Sequence, residues 1–234
     1  FPDALPSFKT LSTSMRETIQ FTQVKIAFNH GWLVQAEAPP GPLFSQFKKA
    51  LATSNGRNVS DVNFYFVHWL TDLAGAEPTP LHGAEKLVLK FPHPVLHSFI
   101  SSFANVGALV NHVETRVFED FLVKRWEEQA HTLGQPPTGS SAIALMRLVA
   151  QVQHLPLQQN IVQKWNLMKA DDQKVLEYEL ALTGCPGQNY KSYGGHKQGG
   201  PVFLVYYSPA FMRNAVRSDT LSGLRMLADI YRQA

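Results

Sequence analysis

Proline cuts this chain into short helical segments. Pro39, Pro40 and Pro42 close one segment, Pro78 and Pro80 the next, Pro92 and Pro94 another, and Pro136 with Pro137 a fourth. Inside a helix a proline lacks the amide hydrogen that the preceding turn needs, and its ring collides with that turn's carbonyl, so each cluster is a stop. Between the stops apolar residues recur at helical spacing, over about 7–36, 43–53, 60–74, 81–90, 95–103 and 106–131, and then over 142–153, 158–169, 171–183 and 218–232. Local signals agree. Ser60 or Asp61 can cap the third segment, Thr79 and Pro80 open the fourth, and Gly184 follows a helix whose first turn holds Asp171 and Asp172. These signals predict an all-α fold, a large irregular multi-helix domain around a central apolar helix at about 60–74. There is room for one short strand at 201–207, where a continuous apolar run fits a buried strand and a core helix equally.

With 234 residues, 44% of them hydrophobic and 17% charged, the chain has the composition of a globular protein with a sizeable core. No apolar run approaches the roughly 20 residues that cross a bilayer. Charge is uneven: residues 1–137 hold 11 Lys/Arg against 12 Asp/Glu, and residues 138–234 hold 10 against 6. The change coincides with the Gly/Pro/Ser-rich stretch 134–141. That predicts a helical core subdomain at 1–137 and a basic helical subdomain at 138–234, packed as one globular unit. The basic residues are scattered rather than gathered into a dense stripe, which argues against nucleic acid and leaves a protein partner or an attached domain. Cys185 is the one cysteine, so neither an intrachain disulfide nor a cysteine zinc site can form, and a reducing compartment such as the cytoplasm is favoured. Because the sequence opens on Phe1, a leader or upstream domain would leave no trace in it.

The segment 60–74 also offers the best candidate chemistry. It is apolar around most of its circumference, yet Asp61, Tyr65, His68 and Asp72 follow one another at i, i+4, i+7 and i+11 along one narrow stripe. His68 and Asp72 are one turn apart, close enough for the carboxylate to orient an imidazole acting as general base, with Tyr65 as a donor. The plainer alternative is a hydrogen-bonded seam that fixes how the helix packs.

Six of the nine histidines lie between His68 and His131, which raises the question of a metal held by His68, His82, His97, His112 and Glu114. The pair His93 and His97 is misleading. A residue before proline is pushed out of helical conformation, so His93 caps a helix rather than sharing a face with His97. Glu128 and His131 have one Glu-x-x-His spacing where a di-iron bundle needs two. No metal and no cofactor are expected. Cys185 and His196 flank a Gly- and Lys-rich loop, 184–201, in which Lys191 and Lys197 can meet an anion. Together with Arg213, Arg217 and Arg225 they form the expected binding set. Phe44, Phe47, Phe99, Phe103, Phe118 and Phe121 are expected in the core.

The resulting expectation is a helical protein-interaction or regulatory module without its own catalysis, contacting its partner through the basic C-terminal part. The alternative is an acid–base or metal-assisted hydrolase or lyase with a site around His68 and Asp72.

Overall fold

The computed structural model describes residues 6–22, 44–45, 48–49, 51–52, 60–61, 64–65, 67–68, 97, 100–101, 103–152, 154–181 and 208–233. These residues are helical or lie in the turns between helices, and among them there is no strand. The run 201–207 lies outside the described residues. Among the described residues no helix is long and apolar enough to cross a membrane. The chain divides into two compact units, Phe1–Phe28 with Gln46–His93 and Asn29–Ser45 with Pro94–Ala234. The stretch 134–141 falls inside the second unit, where the helices on either side of it pack together.

In the smaller unit, α1 (Pro6–Lys9) and α2 (Thr13–Gln20) occupy the start of what periodicity suggests is one long helix. Hydroxyls break it. Thr10 Oγ1 donates to the Ser7 carbonyl, and the extended Ser12 accepts from the Met15 amide, capping a new helix. Serine and threonine compete with helical bonding in this way, which apolar periodicity does not register.

The larger unit holds α3 (Phe103–Asn111), α4 (Glu114–Glu127), α5 (Ala130–Leu133), α6 (Ala142–Ala150), α7 (Leu155–Trp165), α8 (Ala170–Ala181) and α9 (Ser208–Phe211). A π-helical segment, Met212–Val216, leads on to α10 (Thr220–Gln233). The expected single helix 106–131 is thus three. Val113 is extended, with φ −74° and ψ 149°, and it starts α4 afresh with Glu114 buried, where Ser45 Oγ donates to Glu114 Oε1 at 3.2 Å. The break also separates the valines at 110, 113 and 117. Val117 is buried, but Val110 and Val113 are 54% and 63% exposed.

The helix surrounded on all sides is α6. Of its residues only Ile143 is not buried, and α4, α7 and α8 pack around it. The described part of 60–74 does not have this character: Phe64 and Val67 are half exposed and His68 is exposed. α6 is thus the enclosed helix of the larger unit, while 60–74 belongs to the smaller one and lies mostly outside the described residues. Phe44, Phe118 and Phe121 are in the core as expected, the last two with ring centroids 6.3 Å apart. Phe103 is partly covered, and Phe47 and Phe99 lie outside the described residues.

Chain turns in this unit are held by side chains that satisfy helix-end carbonyls. The buried Gln158 amide donates to Val149 and Val152, at 3.3 and 2.7 Å, closing the end of α6. Trp126 Nε1 donates to Gly134, whose positive φ of 79° ends α5. Replacing Gln158 with Leu should cost about 1–2 kcal/mol, because the Val152 carbonyl loses its side-chain donor and Val149 keeps only the Val152 amide, while volume is nearly conserved. A urea midpoint lowered at unchanged slope checks this.

Candidate functional site

A cleft of about 210 Å³ opens between α8 and α10. Lys174, Val175, Tyr178 and Glu179 line it from α8, and Tyr231 and Arg232 from α10. On α8 these positions are i, i+1, i+4 and i+5, one face of a helix, while Asp172, Leu176 and Leu180 are buried. On α10 the buried positions Thr220, Gly223, Leu224, Leu227, Ala228 and Tyr231 form an amphipathic stripe that seats the helix and presents Tyr231 to the cleft. Asp219 caps α10, accepting from both the amide and the hydroxyl of Ser222, and these bonds hold its carboxyl below the usual range.

Arg147 lies beside this cleft, fully buried on α6. Its Nη1 donates to the Leu180 carbonyl in the last turn of α8, and its guanidinium carbon is 5.7 Å from the centroid of the Phe118 ring. One cation therefore touches three helices, α4, α6 and α8. It is also close enough to Tyr231 to be felt there. Burial pushes the Tyr231 phenol far above its ordinary pKa, the Arg147 charge pulls it partly back, and Glu179 adds to the rise. Tyr231 thus stays protonated. Burial also raises the Glu179 carboxyl. Arg232 bridges α8 to the end of α10, pairing with Asp172 and with Asp229. The chemistry on offer here is recognition, through a protonated phenol, a partly desolvated carboxyl and a guanidinium held in place.

None of these cleft residues is in the sequence-derived set. Tyr65 is half-buried with its phenol raised by burial, and His68 is exposed one turn further on, both in the smaller unit. Asp72, the proposed orienting group, lies outside the described residues, as do His82, His93, Cys185, Lys191, His196 and Lys197. Arg213 is in the π-helical segment, Arg217 is exposed and Arg225 is partly buried on α10. His97, His112 and His131 are exposed. Glu128 serves Arg125, at 3.2 Å, rather than His131. Burial lowers the Arg125 guanidinium, and Glu128 offsets part of that effect. His112 and Arg116 are on the solvated side, where Arg116 pairs with Asp120 at 2.9 Å. Among the described residues no three His, Cys, Asp or Glu side chains gather to hold a metal ion.

Arg147 had a signal in the sequence: it is the one charge in Ala-Ile-Ala-Leu-Met-Arg-Leu-Val-Ala. The cleft residues had none, since Lys174, Tyr178 and Glu179 look like any solvated helix face until α10 is placed against them. No family model, curated protein or solved structure matches the chain.

Proposed function

We propose that this chain is a helical protein-interaction or regulatory module without its own catalysis. What carries the reading is the surface of the segment 60–68. Phe64 and Val67, 50% and 54% exposed, are one helical turn apart, with His68 exposed beside them. A lone exposed apolar residue needs no explanation, but an aromatic next to a branched aliphatic is the kind of anchor on which interfaces concentrate their affinity. The exposed Arg217 belongs to the basic C-terminal part and supplies charge for steering a partner. Tyr65 and His68 suit recognition better than acid–base catalysis, because closed sites that exclude water strengthen such chemistry, and His68 stands in solvent.

The test compares capture by the intact chain with capture by Phe64→Ser/Val67→Ser and, separately, by Arg217→Glu. All three positions are exposed, so the fold should survive. The apolar pair should lose the partner by tenfold or more, and Arg217→Glu should slow association. Capture by Phe64→Ser/Val67→Ser equal to that of the intact chain would remove the 60–68 surface from the reading, and unchanged association of Arg217→Glu would remove the basic contribution.

A further inference from the structure

We propose that the cleft between α8 and α10 binds an alkyl cation, a primary ammonium or guanidinium on an aliphatic stem such as a lysine or arginine side chain presents. It is separate from the Phe64–Val67 surface and does not depend on it.

The walls suit such a group. Tyr178 stands half exposed at the cleft, Tyr231 is buried, and Val175 adds an aliphatic face between them. Phenol rings attract a cation over their faces and cover its methylene stem. Glu179 supplies the charge. Among the described residues no hydrogen bond or ion pair holds its carboxyl, although it is half-buried. A partly desolvated carboxylate without a donor is costly, and an incoming cation relieves that cost.

The two cations already in the cleft do not fill this role. Arg232 is committed to Asp172 and Asp229. Lys174 is exposed and sits five residues before Glu179 on the same helix, outside the three- and four-residue spacings that bring side chains together. Asp172 and Asp229 are both held by Arg232, and the buried Arg147 donates to the Leu180 carbonyl, so of the three carboxyls around the cleft Glu179 is, among the described residues, the one without a cation of its own. An anion would have to sit against Glu179. The volume, about 210 Å³, is suited to one long side chain rather than to a cofactor-sized molecule.

The test is isotope-edited NMR of the full chain, titrated in parallel with Nα-acetyl-lysine amide, Nα-acetyl-arginine amide, butylamine, the neutral Nα-acetyl-norleucine amide and inorganic phosphate. Saturable shifts at Tyr178, Glu179 and Tyr231 are expected from the cations and not from the norleucine compound. Glu179→Gln, which keeps the shape, should weaken binding about tenfold or more, and Tyr178→Leu about threefold. Tighter binding of the capped amino acids than of butylamine identifies a polypeptide as the source; equal binding identifies a small free amine. No saturable shift, equal response to the norleucine compound, response to phosphate in place of the amines, or unchanged affinity in a well-dispersed Glu179→Gln protein would each overturn the proposal.

Discussion

Replacing Arg147 with Ala is expected to cost about 3–5 kcal/mol, a large share of the stability of a domain of this kind. Two losses combine. The Leu180 carbonyl at the end of α8 loses its donor, and the core loses the volume of a long side chain that nothing nearby can replace. The contact over Phe118 goes with it. Arg147→Met separates these contributions, because it fills most of the space without a charge to desolvate. It should cost less, about 1–3 kcal/mol, the share that belongs to the orphaned carbonyl. Urea unfolding of both variants reads the difference. If Arg147→Ala were no less stable than wild type, the guanidinium would not be a clamp between α6 and α8. If Arg147→Met were more stable than wild type, the charge would be a net burden, as some buried ions are.

The second large effect should come from Gly223. A Cβ placed there would come within 2.7 Å of the Val216 Cα and 3.0 Å of its backbone nitrogen, so the obstruction is main chain rather than a movable side chain. Gly223 and Leu224 are buried where α10 packs against the π-helical segment that ends at Val216. Gly223→Ala should already cost about 1–3 kcal/mol through overpacking, and Gly223→Val about 3 kcal/mol or more. Thermal unfolding checks the order, with Val falling below Ala and Ala below wild type. The same alanine change would be favourable at an open helical site, since Ala has the higher helix propensity. A rise in melting temperature for Gly223→Ala would therefore mean that the close approach of these backbones is wrong.

The all-α class was legible because proline and apolar periodicity act within a few residues of sequence. The helices at 142–150, 155–165, 170–181 and 220–233 lie close to the segments the pattern marks. Breaks made by local polar competition were not legible. α1 stops at Lys9 and Ser12 caps the next helix, and Val113 leaves the helical region with no side-chain cap, yet both breaks fall inside segments that periodicity marks as continuous. The enclosure of α6 in the larger unit was not legible either, because its apolar composition resembles that of the segment 60–74, most of which lies outside the described residues. The cleft was beyond reach of periodicity altogether, because Glu179 and Tyr231 are 52 positions apart and acquire meaning only when α8 and α10 meet.

The enclosure of α6 has a consequence for how this unit opens and closes. A helix at an edge can fray alone and expose its amides to solvent while the rest of the molecule stays intact. With α4, α7 and α8 around it and both its charged side chain and its end carbonyls tied to those neighbours, α6 has no such private route. Its amides can exchange hydrogen only when the surrounding helices separate together, so their exchange rates report the free energy of the whole cooperative unit.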